Sequence, residues 1–192
     1  MPSFAASVCV FCGARPGDSP AFAEEAAKFG AALAQEGWRL VYGAGDRGIM
    51  GAVAAAAEQA GGPLLGVIPT HLVGKELTGD LLGRVVITEN MHERKKVMFM
   101  NSDAVVVLPG GAGSLDEFFE VLTWRQIGLH DKPIFLLNTD GYWDPLLALL
   151  DNVVARGFAE PSMRGFTQVV QDVDALLPAL RAALSRASAS TE

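Results

Sequence analysis

Two periodicities alternate along the chain. Short apolar runs at Ser7–Phe11, Arg39–Tyr42, Leu64–Ile68, Arg84–Thr88, from Val105 to Leu108, Pro133–Leu137 and Phe166–Val170 read as strands. Continuous runs of this kind suit strands buried on both faces of a parallel sheet. Between them apolar residues return at helical spacing: Phe22, Ala26, Phe29 and Leu33, stopping near Gly37; then Ile49 to about Ala60, closing on Gly61-Gly62. Further helices are expected over Met91–Asn101 with Asn90 as N-cap, after Ser114 with Leu115, Phe118, Phe119 and Leu122 on one side, over Trp143–Ala155, and over Asp174–Leu184. Thr70–Gly83 has no firm period and reads as a loop or short helix over the sheet edge. The Ser/Ala-rich stretch Ser185–Glu192 reads as a frayed, disordered tail.

Strand and helix alternate at intervals that allow crossovers of one hand. The expected fold is therefore α/β: a Rossmann-like, doubly wound, mostly parallel sheet with helices on both faces. Residues 1–184 form one nucleotide-binding domain, with no internal repeat and no linker. In such sheets ligands bind beyond the carboxyl ends of the strands, where strand order reverses. Three strands leave through glycine: Gly13-Ala14-Arg15-Pro16-Gly17, Gly43-Ala44-Gly45-Asp46-Arg47-Gly48 and Pro109-Gly110-Gly111-Ala112-Gly113. They can converge on one rim.

The third exit is the most informative. A Gly-rich turn entering a helix presents open backbone amides, a socket for a phosphate. Glu117 follows within the helix, a carboxylate beside that socket. Ser114-Leu115-Asp116-Glu117 also fits a capping box, with Glu117 reaching back to a helix-start amide. Three glycines are more than a helix start needs, which favours a ligand. No Gly-x-Ser-x-Gly elbow is present, so Ser114 reads as a binding residue.

Gly43 to Gly48 matches G-x-G-x-x-G between strand and helix. The acid expected about 20 residues on is missing, because that strand ends Gly66-Val67-Ile68-Pro69. Glycines for tight packing, or a second wall of a mononucleotide pocket through Gly13, Gly43 and Gly45, fit as well as a dinucleotide. The charge cluster Glu89–Lys96 reads as a solvated helix face by default. Its place after a strand end puts Arg94 on the glycine rim, where a guanidinium can clamp an anion or orient a carboxylate.

Composition removes several classes. A net charge of −7 over 192 residues argues against nonspecific binding to nucleic acid or an anionic membrane. No apolar run approaches the roughly 20 residues a bilayer needs, and no signal peptide is evident. Cys9 and Cys12 have C-x-x-C spacing but lie in and just after an apolar strand, so they read as buried or partly buried thiols in a reducing cytoplasm and not as a redox pair. His71, His92 and His130 are scattered without ligand spacing, and no metal is expected. No cofactor is expected either. A pyridoxal enzyme would need a Schiff-base lysine, for which Lys75, Lys95, Lys96 and Lys132 are candidates only by default.

Taken together, Pro109-Gly110-Gly111-Ala112-Gly113-Ser114-Leu115-Asp116-Glu117 and Met91-His92-Glu93-Arg94-Lys95 resemble the paired signatures of the LONELY GUY family, cytokinin-activating phosphoribohydrolases long labelled possible lysine decarboxylases. The resemblance extends to Val10–Gly13, to Tyr42-Gly43 through Gly51, and to Thr123–Pro133. It implies hydrolysis of the N-glycosidic bond of a nucleoside 5′-monophosphate, such as AMP or its N6-isopentenyl form, to free base and ribose 5-phosphate. It also implies that Arg94 and Glu117 are the essential pair. Substrate contacts would come from Glu76, Arg94, Lys95, the run Gly110, Gly111, Ala112, Gly113, Ser114, Leu115, Asp116 and Glu117, and Thr123. A homodimer or larger homo-oligomer is implied. Where the family often has Gly-Ser-Ser this chain has Gly13-Ala14-Arg15, Gly43-Ala44-Gly45 replaces Gly-Gly-Gly, and Ser114 replaces Thr. The alternative is a nucleotide or molybdenum-cofactor carrier on the same fold, binding without turnover.

Overall fold

A computed structural model describes residues 4–75 and 82–189. Its seven strands are β1 (Ser7–Phe11), β2 (Arg39–Tyr42), β3 (Leu64–Pro69), β4 (Arg84–Thr88), β5 (Ala104–Val107), β6 (Ile134–Leu137) and β7 (Thr167–Val170). They form one sheet in the order β4-β3-β2-β1-β5-β6-β7, and every pairing is parallel. The strand order reverses between β1 and β5, which pair directly with Val8 opposite Ala104 and Phe11 opposite Val107.

Among the described residues six α-helices cover the two faces: α1 (Pro20–Gln35), α2 (Gly48–Gln59), α3 (Met91–Met100), α4 (Ala112–Gln126), α5 (Asp144–Ala155) and α6 (Val173–Ala189). Successive strand residues point to opposite faces, so each apolar run feeds two cores. Val8, Val10, Leu40, Val106 and Phe135 pack with α1, α2 and α6 through Phe29, Leu33, Val53 and Leu180. Cys9, Phe11, Val41, Val105 and Ile134 pack with α3, α4 and α5 through Met98, Phe118, Val121 and Leu146. Each such large apolar side chain stabilises the fold by about 1.5–3 kcal/mol on full burial.

The segment after β3 holds a short 3-10 helix, Thr70–Leu72, one of the two forms its sequence allows, while residues 76–81 lie outside the described residues. One expectation needs correction. The closing helix does not stop at Leu184 but runs to Ala189. The expected tail from Ser185 is therefore helical over 185–189, because Arg and Ala are good helix formers and no Gly or Pro ends the run.

The C-x-x-C pair is also resolved. Cys9 and Cys12 are free, buried, and assigned to the cores on opposite sides of the sheet, so they cannot pair. Among the described residues no helix is long and apolar enough to cross a membrane.

Candidate active site

The three glycine-bearing exits meet through backbone contacts. The Gly13 amide donates to Pro109 O at 3.0 Å, joining the exits of β1 and β5. The Met50 amide donates to Gly13 O at 3.1 Å and brings in the start of α2. Gly48 sits at φ +60°, and a Cβ there would lie 2.5 Å from Arg15 N. Its missing side chain seats the Ala14-Arg15 peptide against α2.

Above this junction, at the strand-order reversal, opens a cavity of about 470 Å³. Cys12, Gly13, Pro109 and Gly110 line its floor, and Arg94 and Glu117 share its wall. Ile49, Met50, Leu72 and Met91 add apolar surface, while Arg15, Asp18 and Tyr142 also contribute to the lining. Burial and the nearby Glu117 carboxylate push the Cys12 thiol well up, against the opposing pull of Arg94, so the thiol stays neutral.

Arg94 is buried at 4% exposure although it belongs to the chain's densest run of charge. Asn90 caps α3 by accepting from the Glu93 amide at 2.9 Å, which sets the phase of the helix. His92, Glu93 and Lys96 then face out, while Arg94 and Lys95 face in. Arg94 Nε donates to Val67 O at 3.0 Å and Nη2 to Gly43 O at 2.7 Å. The guanidinium is thereby pinned to the ends of β2 and β3.

Glu117 lies one turn into α4 and is buried at 8%. The helix begins at Ala112 with Gly111 as N-cap, and no side chain caps it. Ser114 is therefore the third residue of the helix, not its cap. This overturns the capping-box alternative for Glu117, since the helix starts three residues too early for it. The amides of Gly111, Ala112, Gly113 and Ser114 have no acceptor among the described residues. Gly110, Gly111, Gly113 and Ser114 line the cavity. Open amides at a helix start, with the positive end of its dipole, suit a phosphate.

The remaining expected residues are placed elsewhere. Lys95 Nζ pairs with Asp116 Oδ2 at 2.8 Å and Glu120 Oε2 at 3.1 Å, outside the cavity lining. Burial works against its charge, but the two carboxylates outweigh that and hold the ammonium above its ordinary range. Leu115 packs against the core beneath α4. Ala112 is exposed at the start of α4 but is not part of the cavity lining. Thr123 is exposed, its hydroxyl donating to Phe119 O at 2.7 Å. The Gly45 amide is taken by Met50 Sδ at 3.1 Å, and Gly43 meets Arg94 without itself lining the cavity. Glu76 lies outside the described residues. Among the described residues no group of three or more His, Cys, Asp and Glu could hold a metal ion.

Sequence reasoning missed Arg15, Tyr142 and the apolar wall as parts of this cavity. Arg15 has no ion pair or hydrogen bond to its side chain among the described residues. Both Arg15 and Tyr142 follow strand exits, β1 and β6, so the carboxyl-end rule held a signal for them.

The chain matches the family described as "Possible lysine decarboxylase" over residues 50–180. It is 48% identical over 170 residues to a rice (Oryza sativa subsp. japonica) protein named probable cytokinin riboside 5′-monophosphate phosphoribohydrolase LOGL9, covering 88% of this chain and 75% of that one. It is 46% identical over 157 residues to cytokinin riboside 5′-monophosphate phosphoribohydrolase LOG5 of Arabidopsis thaliana, covering 82% and 69%. Among solved structures, the Moco carrier protein of Chlamydomonas reinhardtii superposes with a TM-score of 0.72 at 22% identity, covering 94% of this chain and 98% of that one. The molybdenum cofactor binding protein of Rippkaea orientalis gives 0.68 at 21%, covering 92% and 96%. These two likenesses are of fold alone.

Proposed function

The chain belongs to the LONELY GUY family of phosphoribohydrolases, and from that premise we propose that it hydrolyses the N-glycosidic bond of a nucleoside 5′-monophosphate. Cytokinin riboside monophosphate and AMP are the substrates the reading names, with free base and ribose 5-phosphate as products. One observation carries it: a buried Glu117 and a pinned Arg94 share a cavity with the open amides of a helix start.

In this reading the 5′-phosphate sits on the Gly111–Ser114 amides and fixes the sugar. As the bond from C1′ to the base nitrogen breaks, positive charge develops on the sugar ring. The Glu117 carboxylate stabilises that charge and positions or deprotonates a water. The water oxygen bonds to C1′, and the departing base takes up a proton. Arg94 keeps the carboxylate or the sugar in register. The apolar residues Ile49, Met50, Leu72 and Met91 make a wall suited to a purine.

We also propose a homodimer. Phe119 and Thr123 on α4 and its C-cap Ile127 are exposed at a spacing of four residues, with Leu129 exposed two residues on and Met100 exposed on α3. A second copy covering these residues would bury those apolar groups and bring Thr123 and the Lys95–Asp116 pair to an interface. A cytoplasmic location suits two free core thiols.

The test is incubation with AMP and N6-isopentenyladenosine monophosphate, with the nucleosides as controls. Adenine or its prenyl form should appear with ribose 5-phosphate. Tight binding without products would mean a carrier. Glu117→Gln should bind AMP within about threefold of wild type and lose roughly 10³-fold in kcat, the scale of acid–base catalysis. Wild-type turnover in that variant would remove Glu117 from the chemistry.

A further inference from the structure

Tyr142 follows β6 and reaches across to the turn that enters α4. Its hydroxyl donates to the Gly110 carbonyl at 2.6 Å, and its ring lines the cavity. Phe22 meets the ring edge-on with centroids 5.5 Å apart, and Trp143 does so at 4.7 Å. Trp143 is itself buried, and its amide donates to Asn138 Oδ1 at 2.7 Å. The hydroxyl is thus held by packing on two sides and a fixed backbone.

The Gly110 carbonyl is a local competitor for the open amides. One more residue of regular helix would turn it onto the Ser114 N–H, four residues on. No such bond forms, and the carbonyl points to Tyr142 instead. In a trans peptide C=O and N–H point in opposite directions, so the same bond fixes where the Gly111 amide points.

We propose that Tyr142 is a positioning residue which keeps the phosphate-binding amides open by holding the Gly110 carbonyl away from Ser114. The inference rests on the phosphate reading of this turn given above.

Tyr142→Phe removes the hydroxyl and keeps the ring contacts. KM for AMP should rise about tenfold, the scale of one lost hydrogen bond in a binding site, with kcat moving less than threefold. The inhibition constant of ribose 5-phosphate should rise in proportion, and that of adenine should not. Amide hydrogen exchange in the ligand-free protein gives a second readout independent of turnover: protection at Ser114 should increase at least tenfold in the variant. Equal loss for ribose 5-phosphate and adenine, an unchanged KM, or unchanged Ser114 protection would overturn the proposal. If the wild type released no adenine from AMP, the hydrolase reading would fail alone. Titration with inorganic phosphate, followed at the Gly111–Ser114 amide resonances of wild type and variant, would then decide the role of Tyr142. Weaker binding by the variant supports it, and equal binding overturns it.

Discussion

Gly43 has no side chain because Arg94 fills the space one would need. A Cβ at Gly43 would lie 1.9 Å from Arg94 Nη2, while the Gly43 carbonyl holds that same nitrogen at 2.7 Å. The first glycine of the G-x-G-x-x-G run therefore serves a guanidinium. Gly43→Ala should displace Arg94 by overpacking and lower kcat/KM by about 100-fold, the scale of a 1 Å misplacement in an active site. Steady-state kinetics on AMP tests this, and a loss of less than threefold would show that Arg94 moves without consequence. At the neighbouring position Ala44 adopts φ +59°, a left-handed conformation that glycine would reach without the steric cost of a Cβ. Lys95 teaches the same lesson: its charge is spent on Asp116 and Glu120, although the motif around it looks like a substrate contact.

At the scale of elements, α4 does two jobs on different faces. Its first turn is uncapped and its amides open, while Glu117 turns inward one turn later. A side-chain cap would have satisfied an amide that a phosphate can use, and Gly111 supplies none. Phe119 and Thr123 of the helix and its C-cap Ile127 lie away from the cavity. Ile127 is 63% exposed, and Ile127→Asp should split the proposed dimer into monomers by light scattering while the fold persists by circular dichroism. An unchanged mass at the same protein concentration would place the interface elsewhere.

Across the whole molecule, the β1–β5 reversal places the cavity, and the cores on either side hold it rigid. Stability carries its own pH signature through His130, beyond the far end of α4. The ring nitrogen Nε2 lies 2.9 Å from Val121 O, so it carries the proton and donates, which leaves the buried Nδ1 without a partner among the described residues. Burial lowers the pKa of His130, the Val121 carbonyl opposes this, and the Arg125 and Lys132 cations add to the lowering. A folded pKa below the unfolded value of about 6.5 means the unfolded chain binds a proton first, so stability falls as pH drops below about 6.5. The melting temperature should decline from pH 7.5 to 5.5, and His130→Gln should flatten that slope. A slope of equal size in the variant would assign it to other groups.

The strands, the parallel sheet, the glycine-lined rim and the placement of Arg94 and Glu117 on it were legible from the chain alone. Each rests on a local rule: apolar runs set burial, glycine sets turns, and helical spacing sets which residues share a face. Which residues close the cavity was a different matter. Arg15 and Tyr142 come from exits about 95 and 30 residues away from the Gly110 turn, and Lys95 turns to α4 instead of the ligand. Contacts between distant segments depend on the relative placement of packed elements, which no local pattern encodes. The sequence by itself determined the sheet and the chemistry its rim can hold; the tertiary structure decided which side chains reach it, because direction in space is fixed only when the helices dock.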